Sequence, residues 1–288
     1  MTRPTFSRHL LGAVALSLLL APSARAEVRT GVFRSESVGR EVSYVVDVPP
    51  GYDQGTERYP VIYALHGMFE SEAFWEKRGL AELLARLREE RRVGSFLVVA
   101  VNGGNTLFAN HEAGRYQDLV TKDLVAHVES TWRAKPGRAS RGLLGISMGG
   151  HAALRIAFTE PEVFVAVATH SAMLLDKIPS RETGADNWHM RVLEAVFGAP
   201  IDPDRWKAAD PLVLAQRANP KSLPALRFDC GREDRYGLAR GNTLLHETLD
   251  ARGIPHTFAI EPGNHGYEYV KTILAESLRF LGDAIGAK

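Results

Sequence analysis

Cysteine occurs once in the 288 residues, at Cys230, so no disulfide can close within the chain and its stability must come from a packed core. Charge of one sign is lacking too: 35 Lys and Arg stand against 34 Asp and Glu, a formal net charge of +1. That balance provides no field to hold nucleic acid or an anionic membrane surface. The basic cluster at residues 86–92 alternates with glutamates and reads as a solvated helix face. Metal-ligand patterns are equally scarce. The ten histidines form no H-E-x-x-H motif and no paired Cys/His spacing, so neither a metal nor any other cofactor is expected. After Leu20 no run is apolar enough to cross a bilayer, and no membrane contact is expected of the mature chain.

The N-terminus carries an addressing signal. Arg3 and Arg8 precede an apolar run over residues 10–20, and small residues follow at Ala24 and Ala26. This order predicts a secretory signal peptide cut after Ala26, with the mature protein in the periplasm or secreted. The apolar run is shorter than the ~20 residues that a spanning helix needs. Cys230, in an apolar strand-like run, is expected to be a buried and inert thiol.

Short β-like runs alternate with helix-like ones over the rest of the chain. Residues 28–36 and 41–48 alternate polar and apolar side chains, as an antiparallel edge pair would. Buried strands are predicted at residues 61–65, 96–101, 142–146, 163–168, 225–230 and 257–260. Helical spacing marks residues 79–92, 119–132, 151–158, 238–252 and 267–284. Such alternation predicts an α/β fold: one domain over residues 27–288, with a mainly parallel sheet of about eight strands and helices on both faces. Residues 171–220 are less regular and too few for a second domain. They are expected to form a small lid or pocket wall.

Gly145-Ile-Ser147-Met-Gly149 fits G-x-S-x-G, and its context is a short apolar strand running into an Ala-rich helix. That is where a nucleophile elbow belongs: the glycines allow the sharp turn, and the Ser147 hydroxyl stands clear of the sheet. The turn also sets the Met148 N–H at a helix N-terminus, facing a developing oxyanion. His66-Gly67-Met68 follows an upstream strand and can supply a second N–H donor from Met68, with His66 fixing the turn. The base then comes late in the chain. His265 lies in the Gly- and Pro-rich loop between the last strand and the last helix, whereas His246 and His256 lie elsewhere in the winding. The acid is expected after the penultimate strand. Asp234 sits in the turn beyond Gly231 and is favoured, with Asp229 and Glu233 as alternatives.

These motifs together resemble the esterase D-like branch of the α/β-hydrolases, which includes S-formylglutathione hydrolases, tributyrin and feruloyl esterases and mycolyltransferases. The resemblance rests on Leu65-His-Gly-Met68, Gly145-Ile-Ser-Met-Gly-Gly-His-Ala-Ala153, Cys230-Gly-Arg-Glu-Asp234 and Gly263-Asn-His265. It implies an α/β-hydrolase fold, a Ser147–His265–Asp234 triad and an oxyanion hole made by the Met68 and Met148 N–H groups. The expected activity is cofactor-free hydrolysis of a small-molecule or carbohydrate ester through an acyl-enzyme. Two alternatives stand beside it: an acyltransferase using the same triad, and a non-catalytic binding protein on this scaffold. Met173 and Trp188 are the candidate substrate-pocket residues. Phe69, Phe74 and Trp75 read equally well as pocket or packing.

Overall fold

The computed structural model describes residues 27–181 and 187–287, so the expected signal peptide lies outside the described residues. β1 (Glu27–Ser35) and β2 (Arg40–Val48) form an antiparallel hairpin, in which Phe33, Val42 and Tyr44 turn inward. β3 (Val61–Leu65) and β4 (Leu97–Val101) are buried at every position. Strands covered on both faces lose the alternation that β1 shows, and read as continuous apolar runs. The side chains still alternate in space. Val61, Tyr63 and Leu65 join one core cluster, Ile62 and Ala64 the other.

A two-residue pair, β5 (Asn110–His111) with β6 (Gly114–Arg115), stands apart from the main sheet. The sheet itself continues through β7 (Arg141–Ile146), β8 (Ala166–His170), β9 (Ala225–Gly231) and β10 (Thr257–Glu261). Its eight strands run in the order β1-β2-β4-β3-β7-β8-β9-β10, antiparallel at β1–β2 and β2–β4 and parallel elsewhere. The expected strand at residues 163–168 starts later than its apolar run. Pairing with β7 begins at Ala166, while Phe164 packs its ring against Tyr63.

On one face lie α1 (Leu80–Glu89) and, at the chain's end, α9 (Tyr267–Ala284), through Leu84, Leu87, Leu274 and Leu278. The expected helix at residues 119–132 is three pieces: α2 (Tyr116–Asp118), a π turn over Leu119–Leu124, and α3 (Val125–Thr131). It shares the opposite face with α4 (Met148–Thr159) and α8 (Leu238–Ala251). α4 is buried from Met148 to Phe158, and its buried Arg155 donates to the Leu107 and Phe108 carbonyls at 3.1 and 2.6 Å. Between β8 and β9 come α5 (Asn187–Phe197), α6 (Pro203–Ala209) and α7 (Pro211–Ala215). Asp202 and Asp210 cap the last two, each accepting from N–H groups of the first turn, with proline at the first helical position.

α8 approaches the chain after β8 closely enough to need glycine. A Cβ on Gly241 would lie 1.9 Å from the Leu174 carbonyl oxygen. Gly→Ala inside a helix ordinarily stabilises by about 1 kcal/mol. Here the sign should invert: Gly241→Ala is expected to destabilise by about 1–3 kcal/mol through overpacking, read as a lowered urea midpoint. An unchanged or raised midpoint would mean that α8 does not pack this tightly.

Candidate active site

Ser147 occupies the one-residue turn between β7 and α4, with φ 53° and ψ −115°, a conformation costly for a residue bearing a Cβ. Its surroundings hold the turn. The Ser147 N–H donates to the His170 carbonyl at 3.0 Å, and the Ser147 carbonyl accepts from Met173 (3.0 Å) and His151 (2.9 Å). The flanking glycines are sterically required. A Cβ on Gly145 would meet the Gly149 oxygen at 2.3 Å, and one on Gly149 would meet the Leu65 oxygen at 2.5 Å.

The loops after β9 and β10 meet over this turn. His265 Nε2 lies 3.1 Å from Ser147 Oγ, and His265 Nδ1 lies 2.8 Å from Asp234 Oδ2. A carboxylate can only accept, so Nδ1 donates and Nε2 presents its lone pair to the serine hydroxyl. Burial pushes the Asp234 carboxyl up, but the His265 hydrogen bond and charge, with the Tyr236 N–H at 2.9 Å, outweigh it and hold it below the ordinary carboxylate range. Asn264 Oδ1 accepts from both the Arg235 and His265 N–H groups, at 2.9 and 2.6 Å, tying the two loops together. Close strand-end packing supports this: Gly231 leaves room for the Gly263 oxygen, which a Cβ would meet at 2.4 Å.

The alternative acids are engaged elsewhere. Asp229 is buried within β9, where its carboxylate accepts from the Tyr269 hydroxyl at 2.9 Å and pairs with His170 Nδ1 at 3.0 Å. Burial, then the Asp229 charge, pushes the Tyr269 hydroxyl well above its usual range, so it stays a neutral donor. Glu233 is exposed and bonds the Gly263 N–H at 2.6 Å. His66 is buried with both ring nitrogens occupied: Nδ1 donates to the Gly67 carbonyl at 2.7 Å, and Nε2 accepts from Gly103 N–H at 3.1 Å. Burial lowers its pKa and keeps the ring neutral, so His66 fixes the turn.

The Met148 N–H, first of α4, has no intrahelical acceptor, and neither it nor the Met68 N–H donates a hydrogen bond among the described residues. Asn105, which the sequence reading passed over, holds the Met68 turn. Its Oδ1 accepts the Phe69 N–H at 2.7 Å, with Phe69 at a positive φ of 65°. Beside Ser147 opens a cavity of about 610 Å³, lined by Met68, Met173, Ile178, Leu193 and Tyr236. Residues from the β8–β9 connection thus form much of its wall. Trp188 does not line it: the indole is 67% exposed with Arg191 over its ring. One residue is about 100° around a helix, and the cavity face of α5 carries His189 and Leu193 instead, four positions apart. Phe74 and Trp75 are core residues, packed ring to ring at 4.9 Å. Phe69 is 52% exposed and touches the His189 ring, with centroids 5.5 Å apart.

Cys230 is fully buried between Ser171 and Asp234, and burial together with the neighbouring carboxylate pushes its thiol far up. Native protein at pH 8 is therefore expected to resist iodoacetamide and to alkylate once unfolded. Rapid native alkylation would contradict this placement.

The sequence matches the family described as "Putative esterase" over residues 35–281. The S-formylglutathione hydrolase of Paracoccus denitrificans is 26% identical over 282 residues, spanning 89% of this chain and 94% of that one. The endo-1,4-beta-xylanase/feruloyl esterase of Xylanibacter ruminicola is 30% identical over 142 residues, 46% of this chain and a 20% share of that longer enzyme. Among solved structures, a ferulic acid esterase superposes with a TM-score of 0.77 at 24% identity, covering 92% of this chain and 100% of that one. Its likeness bears on the fold.

Proposed function

The chain belongs to this esterase family, is a carboxylic ester hydrolase of the α/β-hydrolase fold, and we propose that it is an exported serine esterase with Ser147 as nucleophile, His265 as base and Asp234 as acid. The observation that carries the reading is the 3.1 Å contact from His265 Nε2 to a serine hydroxyl on a strained elbow, with Asp234 behind the ring. His265 takes the Ser147 proton as the oxygen attacks the ester carbonyl. The Met68 and Met148 N–H groups receive the oxyanion, and the pre-set turns make that stabilisation available without reorganisation. The proton then passes from His265 to the leaving alcohol, and water, deprotonated by the same imidazole, releases the acid.

The substrate we propose is a small-molecule or carbohydrate ester whose acyl group enters the cavity beside Met173. Export is supported by the order of charge, apolar run and small residues over residues 1–26. It favours an ester met outside the cytoplasm over a glutathione thioester.

The test compares the purified protein with Ser147→Ala on p-nitrophenyl acetate and butyrate, alongside labelling by a fluorophosphonate. Turnover should fall by about 10⁶-fold and labelling should vanish. A wild type that neither turns over nor labels would overturn the reading. Asp234→Asn should lower kcat by about 10⁴-fold, because the base is left in the wrong tautomer. Asp234, held below the usual carboxylate range, stays ionised as pH falls, so it adds no second proton to acid inactivation. Log kcat/KM against pH should rise with a slope of one, and a slope of two would show a second essential proton.

A further inference from the structure

Three ligand-type side chains meet far from Ser147, at the end of the sheet where β10 begins. His246 and Asp250 stand four residues apart on the last turns of α8, and so share one face of it. His256 comes from the short connection into β10. One ligand atom from each of the three can be chosen so that all lie within 4.8 Å of one another. His246 Nδ1 is 2.8 Å from His256 Nε2, and Asp250 oxygens lie 3.5 Å from His246 Nε2 and 3.8 Å from His256 Nε2.

The rings are set before any ligand arrives. His256 Nδ1 lies 2.8 Å from the Ile254 carbonyl, which can only accept, so Nδ1 bears the proton and Nε2 is directed at the cluster. A backbone carbonyl behind the imidazole is the arrangement that orients a metal-bound histidine and raises its basicity. His256 also stacks on Phe228 and His246 on Phe258, with centroids 5.4 and 4.6 Å apart, which fixes both ring planes. The His256 side chain is 3% exposed while the Asp250 side chain is 64% exposed, so the cluster has a closed back and a wet mouth. It sits at the C-terminus of α8, where the helix dipole favours a cation.

Without a cation the packing is awkward. His256 Nε2 can only accept, so His246 Nδ1–H donates to it, and the His246 Nε2 lone pair is left facing the Asp250 carboxylate. A metal ion among them would take a lone pair from each imidazole and an oxygen of the carboxylate. We infer that His246, Asp250 and His256 form a divalent transition-metal site, of the kind that takes Zn²⁺ through two imidazoles, one carboxylate and water. Zn–N bonds of about 2.0–2.1 Å in tetrahedral array need nitrogens roughly 3.3 Å apart. The two rings therefore open by about half an ångström on binding, and the His246 proton moves from Nδ1 to Nε2, on the side of Asp250.

The ion would clamp α8 to the start of β10. These elements flank the turns carrying Asp234 and His265 at their other ends, so the role is structural and lies outside the chemistry. Tag-free protein, stripped with chelator, is dialysed against buffered Zn²⁺, and bound zinc and Tm are measured. We expect one zinc per chain and a Tm rise of about 5 °C or more at saturating zinc. Asp250→Asn, at an exposed position that leaves folding intact, should bind at least tenfold more weakly. His256→Ala and His246→Ala should lose the tight equivalent and the Tm rise. The inference is overturned if the wild type binds no stoichiometric zinc, or if Asp250→Asn keeps full affinity and full Tm rise. Neither readout depends on turnover.

Discussion

The backbone at Ser147 is the constraint around which the site is arranged. A φ of 53° at a residue with a side chain is unfavourable by itself and persists because its neighbours over-determine it. Gly145 and Gly149 remove the side chains that would collide with backbone, and the His170 carbonyl at the end of β8 and the Met173 N–H just beyond it clasp the turn. One strained residue therefore ties β7, α4 and the chain after β8 into a single rigid piece. The hydroxyl and the Met148 N–H receive their positions from that piece.

A second layer of polar contacts lies beneath the first. Asp229 joins His170 at the end of β8 to Tyr269 on α9 through bonds of 3.0 and 2.9 Å, all out of water. Buried polar groups are tolerated when they are hydrogen-bonded, and here the bonds join β8 and β9 to α9, which leads out of the His265 loop. Cys230, one residue on, fills the remaining space against Ser171 and Asp234. The His265–Asp234 pair thus rests on a buried, hydrogen-bonded layer.

Much of this could be read in the chain before it was seen folded. Strands buried on both faces announce themselves as apolar runs, and the G-x-S-x-G turn, the late histidine and the carboxylates after β9 fall where the winding of such a sheet needs them. Other features depend on tertiary context. The apolar run at residues 163–168 extends past its ladder because Phe164 packs without pairing. Trp188 and His189 are neighbours in sequence, and only the docking of α5 decides which of them faces the cavity. Asn105 and Asn264 are ordinary loop residues until their side chains are seen to hold the Met68 turn and the two late loops. His246, Asp250 and His256 escaped notice for the same reason, since an i, i+4, i+10 spacing across a helix end matches no familiar ligand pattern.

The cavity wall and the proposed triad come from different parts of the fold. Ser147, Asp234 and His265 are mounted beyond the ends of β7, β9 and β10, whereas Ile178, His189 and Leu193 belong to the long connection between β8 and β9. That connection could be rebuilt, lengthened or exchanged while its two anchor points stayed where the sheet holds them. The shape of the cavity is thus separable from the turns that hold the three side chains together.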